Sequence, residues 1–349
     1  MQMIYNYSPL KLEAYFNDHE LNLELIKKIN KNFYRLGQFD INEWDNISKN
    51  NIETLKKHFM FELPRIVWSG VSKDGTKKYL VSFKDGLSVE TVFIPSEDRN
   101  TLCISSQVGC AIGCKFCHTG TMGLSRNLKT HEIVGQLLAV IKDLGTQNRV
   151  SNIVFMGQGE PLHNFRNVKD ACEIFLHQDG LALSKQKVTI STSGLVPQIE
   201  RWEEFPDVNI AVSLHAVRDD KRSELMPINK VHDLKRLFSA LDKVPQKSSR
   251  RIMYEYILIK DFNDGLEDIE GLKKVIKKKK SKINIIPFND YPDSKFKRPS
   301  DEKINWFRQK LHDEGYVTTI RVTRGDDILA ACGQLKSEFD KLNLPSSTK

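Results

Sequence analysis

Three cysteines fall within the eight-residue stretch Cys110-Ala111-Ile112-Gly113-Cys114-Lys115-Phe116-Cys117, a tight trio with no fourth cysteine beside it. Thiolates ordinarily hold an iron-sulfur cluster in sets of four, so a trio points to a cluster whose fourth iron takes an exogenous ligand and stays open to chemistry. A structural zinc site is the plainer reading. It closes a tetrahedron with four ligands, usually as two separated pairs, and here the second pair is missing. His118 follows Cys117 directly, but adjacent residues rarely reach one tetrahedral ion without strain. The spacing favours the cluster.

A loop of this kind must be held by a scaffold, and the pattern downstream supplies one. From Leu102 onward short β-rich runs alternate with amphipathic helical stretches. Strands are predicted at 102–105, 152–156, 187–191, 209–213, 252–258 and 282–287. Between them lie helical patterns such as Ile133, Leu137, Leu138 and Ile141, then Leu234, Leu237, Phe238 and Leu241. Six strand-helix repeats imply an α/β fold with a parallel sheet, here an open, partial (β/α)6 barrel, since a complete eight-fold barrel needs more strands. A last helix carrying Ile304, Phe307 and Leu311 stops near Gly315, before a strand at 317–322.

Ahead of the barrel, residues 1–70 read as a small helical accessory unit. Leu21, Leu25, Ile29 and Phe33 recur every four residues with Lys27, Lys28 and Lys31 among them, a pattern that suits an RNA-contacting module and a solvated basic face about equally. Pro64 and the Ser72-Lys73-Asp74-Gly75 cluster mark a boundary or turn. Runs at 78–83 and 87–94, joined across Lys84-Asp85-Gly86, give a β-hairpin within a linker at 71–95. The core then spans 96–335, and the polar segment 336–349 is expected to be a mobile tail.

The 349 residues are 40% hydrophobic and 28% charged, which argues against both a disordered chain and a membrane protein. No apolar run approaches bilayer length, and the Met1 to Tyr7 start lacks a basic region followed by an apolar stretch, so the cytoplasm is the expected compartment. There, six cysteines (103, 110, 114, 117, 172 and 332) read as metal ligands or reactive thiols rather than as a disulfide framework. A net charge of +8 is compatible with RNA as a partner but decides little alone.

In barrels and open parallel sheets ligands gather at the C-terminal ends of the strands. Gly157-Gln158-Gly159-Glu160-Pro161 follows the second predicted strand, with Gly159 permitting close backbone approach and Glu160 able to accept a ligand's ammonium. Ser191 ends the third strand, Ser213-Leu214-His215 the fourth, and Asn289 follows the sixth. Each alone is more often a turn residue or cap, but their shared position raises the joint odds. Taken alone, Cys332 and Cys172 read as small buried hydrophobes. Cys103 reads as a residue at the rim, and Glu90 as an exposed acid with no partner evident.

Together these motifs resemble the RlmN-type dual-specificity RNA methyltransferases, radical S-adenosylmethionine (SAM) enzymes that share the CxxxCxxC trio. The likeness is dense from Val89 to Leu335. It is carried by Val89-Glu90-Thr91-Val92, by Thr101 to Gln107, by the trio, by Ser191-Thr192-Ser193-Gly194, by Met226-Pro227-Ile228-Asn229 and by Ala331-Cys332-Gly333-Gln334-Leu335. The resemblance implies methylation of adenosine C2 in 23S ribosomal RNA and in transfer RNA. It implies a 4Fe-4S cluster on Cys110, Cys114 and Cys117, two SAM molecules per turnover and a flavodoxin-like electron donor to a monomeric enzyme.

It further implies SAM contacts from Gly159, Glu160, Ser191, Ser213, Leu214, His215 and Asn289. Cys332 corresponds to the thiol that becomes methylated, Cys103 to the thiol that resolves the RNA adduct by forming a disulfide with it, and Glu90 to the proton acceptor. Gln158 stands where the family commonly has Met, and His118 where Ser or Ala is common. A sister group methylates C8 of the same ribosomal adenosine; Pro161 and Arg324-Gly325-Asp326-Asp327 look more like the C2 enzymes. The alternative from another class is a non-catalytic RNA-binding protein with a structural metal, for which the run Lys277 to Lys280 would supply phosphate contacts.

Overall fold

The computed structural model describes residues 1–145, 149–245, 250–289, 294–331 and 333–335. Cys332 and the tail 336–349 lie outside the described residues. The chain opens with β1 (Gln2–Met3), α1 (Pro9–Asp18), α2 (Glu24–Ile29), α3 (Lys49–His58) and β2 (Phe59–Met60), which pairs in parallel with β1. The four-residue apolar repeat runs down α2 into a π-helical turn at Asn30–Arg35. A four-residue step overshoots an α-helical turn by about 40°, so the wider turn brings Phe33 back onto the buried face of Leu25 and Ile29.

One ten-stranded sheet follows. Its antiparallel part is β3 (Arg65–Val71), β4 (Lys77–Ser82) and β5 (Ser88–Ile94), and β5 joins β6 (Thr101–Cys103), the first strand of the barrel. β7 (Gln107–Gly109) and β8 (Leu124–Asn127) form a separate ribbon. Then come α4 (Thr130–Leu144), β9 (Asn152–Phe155), α5 (Phe165–Leu176), β10 (Val188–Thr192), α6 (Val196–Ile199) and β11 (Asn209–Ser213). The second half runs α7 (Asp219–Leu225), α8 (Leu234–Lys243), β12 (Ile252–Leu258), α9 (Leu266–Val275), β13 (Ser281–Pro287), α10 (Asp301–Asp313) and β14 (Thr318–Ile320). Strand order is β14-β13-β12-β11-β10-β9-β6-β5-β4-β3, so the six repeats are all present, β14 adds a seventh parallel strand, and the sheet stays open.

The predicted hairpin is two thirds of a three-stranded meander. β3 escapes the alternation test because a register shift between Ile66 and Trp68 breaks its period of two. The Ser72 to Gly75 cluster is the turn between β3 and β4, closed by the Gly75 amide on the Ser72 carbonyl at 3.0 Å. One apolar core runs unbroken from Ile4, Phe16 and Phe33 into the barrel, through Leu102, Ile190, Val212 and Ile285. Among the described residues no helix is long and apolar enough to cross a membrane.

Candidate active site

The cysteine loop springs from the ribbon of β7 and β8. At its neck the Cys110 amide donates to the Gly123 carbonyl at 2.8 Å. Gly109 stands there with φ +77°, and a Cβ on it would fall 1.9 Å from the Gly123 oxygen, so only glycine lets the two arms cross. The loop is then tied on two sides. The Lys115 amide donates to the Leu225 carbonyl at the end of α7 (2.8 Å), and the His118 amide to the Gly333 carbonyl of the C-terminal segment (2.7 Å). These ties turn Cys110, Cys114 and Cys117 towards one cavity, whose wall includes Gly159, Glu160, Ser191, Ser193, Ser213 and His215.

Burial pushes the Cys110 thiol up to about 12, with Glu160 and Cys117 adding to the effect, and burial likewise raises Cys114 and Cys117. The metal-free thiols therefore keep their protons, and binding must release them. Among the described residues no three Cys, His, Asp or Glu side chains converge to hold a single ion. A cubane takes one thiolate per iron, so three thiols lining one cavity fit the cluster, whereas a closed zinc tetrahedron needs a fourth ligand.

The polar wall comes from strand ends. Glu160 accepts the Ser193 amide at 2.7 Å and the Leu162 amide at 3.0 Å, leaving further lone pairs for a cationic ligand. Burial pushes its carboxyl above the ordinary range, and these amides oppose that shift. Gly159 has φ +96°, and a Cβ there would lie 2.5 Å from Gln107 Cβ; this glycine serves packing inside the protein as much as any ligand approach. Ser191 donates to Glu255 Oε2 at 2.7 Å. Ser193 lines the cavity beside Glu160, its amide bonded to that carboxylate and its hydroxyl buried on the same wall.

His215 adopts φ +58°, and its Nδ1 accepts the Ile257 amide at 3.0 Å. Burial, then the nearby Arg222, lowers its pKa to about 3, so the ring is neutral and stays an acceptor at that nitrogen. Phe116 of the cysteine loop packs edge-on against it, with ring centroids 4.5 Å apart.

The other predicted residues lie elsewhere. Leu214 buries its side chain in the core, and its carbonyl accepts from Arg222 Nε at 3.1 Å. Asn289 and Cys103 line a second, larger cleft along the sheet, which shares Met156, Ile286 and Leu335 with the first. There Asn289 accepts a hydrogen bond from Thr323 at 3.0 Å, and Cys103 packs with Ala330 and Leu335, which flank position 332 in sequence.

Glu90, expected to be exposed, is buried and pairs with Lys78 at 3.1 Å. The reason is its place on β5, inside the meander. Cys172 is wholly buried in α5, as expected of a small hydrophobe. The lysine run 277–280 lies before β13, at the opposite end of the strands from the cysteines, and Lys277 pairs with Asp242.

Sequence reasoning missed four residues. Glu255 had a readable signal, an acid inside the otherwise apolar strand Ile252–Leu258, where parallel strands are covered on both faces. Ser193 sat two residues beyond a predicted strand end. Lys78 and Arg222 gave no signal, because each looks like one more surface cation among charged neighbours.

Residues 104–296 match the Radical SAM superfamily, more than half of the chain. A crystal structure of a radical SAM methyltransferase from Sphaerobacter thermophilus superposes with a TM-score of 0.90 at 36% identity, covering 97% of this chain and all of that one. The dual-specificity RNA methyltransferase RlmN of Rhizobium meliloti (strain 1021) is 47% identical over 330 residues, spanning 88% of this chain and 80% of the relative. That of Paracoccus denitrificans (strain Pd 1222) is 44% identical over 319 residues, spanning 88% and 82%. The chain belongs to the RlmN family of dual-specificity RNA methyltransferases, within the radical SAM superfamily.

Proposed function

We propose that this chain methylates C2 of adenosine in 23S ribosomal RNA, at the peptidyl transferase centre, and in transfer RNA, at the adenosine 3' to the anticodon. The observation that carries the reading is the cysteine trio facing one cavity with strand-end carboxylate, hydroxyl and imidazole groups, in a chain 47% identical to a dual-specificity RNA methyltransferase. Cys110, Cys114 and Cys117 would hold the 4Fe-4S cluster. Gly159, Glu160, Ser191, Ser213 and His215 would meet SAM, with Leu214 and Asn289 completing the set the resemblance implies.

Adenine C2 lies between two ring nitrogens and is too electron-poor to attack a methyl sulfonium. When bound and reduced, the cluster supplies one-electron cleavage of SAM, chemistry that reaches such a carbon. Cys332 contributes what a carbon cannot, a thiolate nucleophile that takes a methyl group from a first SAM while a second provides the radical. The radical from the second SAM would remove a hydrogen atom from the S-methyl group; once the resulting S-methylene carbon is bonded to C2, Glu90 would take the C2 proton, and the unpaired electron would leave to the one-electron carrier that the cluster would supply. The Cys103 thiolate would then attack the Cys332 sulfur, breaking its bond to carbon, which takes up a proton to complete the methyl group, releasing methylated RNA and leaving a disulfide for an external thiol to reduce.

Two contacts support these assignments. Cys103 packs against Ala330 and Leu335 on either side of position 332, and Lys78, which pairs with Glu90, also donates to the Leu329 carbonyl at 3.3 Å. Residues 1–70, with Lys27 and Lys31 facing solvent, are proposed to meet the RNA, 71–95 to link them to the core at 96–335, and 336–349 to be a tail. A flavodoxin-like donor, a monomeric state and a cytoplasmic setting complete the reading.

The test is anaerobic. Protein reconstituted with iron and sulfide, given SAM, reductant and unmodified 23S RNA fragment or transfer RNA, should yield 2-methyladenosine by mass spectrometry, lost in Cys332→Ala. Product methylated only at C8 would place the chain in the sister group, and a colourless zinc protein without SAM cleavage would favour the non-catalytic alternative.

A further inference from the structure

Arg222, in α7, is wholly buried, yet among the described residues none of its hydrogen bonds goes to a carboxylate. Its donors are spent on neutral acceptors. Nε binds the Leu214 carbonyl at 3.1 Å, one terminal nitrogen binds Asn229 Oδ1 at 2.8 Å, and the other binds the carbonyls of Ser193 at 2.8 Å and Ser213 at 3.0 Å. Asn229 is itself fixed by the Asp219 carbonyl, the Asp219 carboxylate and Ser223. One guanidinium thus clamps the segments just past β10 and β11 together.

A fully buried cation with no carboxylate bonded to it is costly, and the carbonyl dipoles, with the Asp219 carboxylate acting through Asn229, offset only part of that cost. The charge also sits close to the cysteine loop. α7 carries Arg222 and, at its end, the Leu225 carbonyl that holds the Lys115 amide. Ser193 and Ser213, whose carbonyls Arg222 binds, line the same cavity as Cys114. A cubane on three thiolates carries a net negative charge that grows by one on reduction, so a fixed positive charge behind it favours the reduced state.

We propose that Arg222 is a positioning residue with two effects: its fork holds the ends of β10 and β11 in the geometry that binds SAM, and its charge raises the reduction potential of the cluster held by the neighbouring loop. This rests on the radical SAM reading of the site, and its test separates the two. If wild-type protein loads no cluster, that reading fails; the inference is judged on variants beside a wild type that does load.

Arg222→Gln and Arg222→Met remove charge and fork, and Arg222→Lys keeps the charge but cannot span the three carbonyls. Each is checked by circular dichroism and by iron and sulfide content. The cluster midpoint is then read by potentiometric titration with electron paramagnetic resonance, and SAM affinity by equilibrium binding to the oxidised protein. The neutral variants should show a more negative midpoint and SAM binding weaker by tenfold or more. The Lys variant should keep a near wild-type midpoint with weakened SAM binding, a split that mere loss of structure would not give. A loaded neutral variant with an unchanged midpoint overturns the electrostatic effect. Wild-type SAM affinity in the Lys variant overturns the clamp, and decides the proposal even where the neutral variants fail to fold.

Discussion

The mouth of the parallel strands and the strap of residues 325–335 both contribute groups to the site, but they are built in different ways. At the mouth, Ser191 and Ser213 lie on the last turns of pleat of β10 and β11, and Ser193 and His215 lie within two residues of those strands' ends. The register of neighbouring parallel strands brings them together, Thr192 beside Val212 and Ser213 beside Glu255. Among its described residues, 325–331 and 333–335, the strap has no ladder of its own. It is held by side chains and turns far away in sequence: Gly325 by Asp74, Asp327 by Ser72 and Lys73, Leu329 by Lys78, and Gly333 and Leu335 by the cysteine loop. A mouth set by sheet register is rigid by construction, whereas a strap set by scattered contacts can be loosened one contact at a time.

The largest effect should come from the mouth. Cys114→Ala removes one of three thiols without touching a strand, so far-UV circular dichroism should stay that of the wild type while cluster loading is lost. Iron and sulfide analysis after anaerobic reconstitution measures this, and stoichiometric loading of the variant would show that the trio is not the ligand set.

On the strap side, Lys78→Met should be the most disruptive change. Glu90 and Lys78 are both buried and pair at 3.1 Å, so the substitution removes the cation of this buried pair and cuts the tie to Leu329. Breaking a buried pair from one side costs about 3–5 kcal/mol. Chemical denaturation should register a loss of that order, and the double variant Lys78→Met/Glu90→Leu should recover much of it. A single variant as stable as the wild type would mean that the pair is not what holds this corner.

The same contrast explains what could be read from the sequence. Strand-helix alternation and the position of polar residues just past each strand placed Glu160, Ser191, Ser213 and His215 at one mouth, because the period of the pattern is the period of the fold. Nothing periodic links Asp74 to Gly325 or Lys78 to Leu329, some 250 positions apart in sequence. Glu90 looked solvent-exposed for that reason, and Asn289 was grouped with the mouth although it faces the neighbouring cleft. β3 went unseen because a bulge erased its alternation. Arg222 was hidden by its setting in Asp219-Asp220-Lys221-Arg222-Ser223-Glu224, a stretch that reads as a solvated helix face.

The smallest expected effect is also the one that separates the two regions by pH. Burial alone would raise the Asp74 carboxyl, but hydrogen bonds from Thr76, Gly325 and Ser72 outweigh it and leave it at about 2, below its ordinary 3.8. Asp327 is lowered by Ser72 and the Lys73 amide. A carboxyl depressed in the folded state gives stability that is complete above its unfolded pKa and lost as pH falls through the folded one, so Asp74 weakens its hold on the strap between pH 3.8 and about 2. His215 at the mouth works in a different window. Its folded pKa of about 3 lies below the ordinary 6.5, so the unfolded chain takes up the proton first and stability falls with pH between those values. Glu160, raised by burial, acts in the opposite sense, since its protonation on acidification relieves a buried charge. Metal-free protein should therefore lose global stability gradually from pH 6.5, while proteolysis within 325–335 should accelerate only below pH 3.8. Asp74→Asn, which keeps the shape but gives up an acceptor oxygen, should make strap cleavage faster at neutral pH and less dependent on acid. Cleavage that instead followed the His215 window would mean that strap and mouth open as one unit.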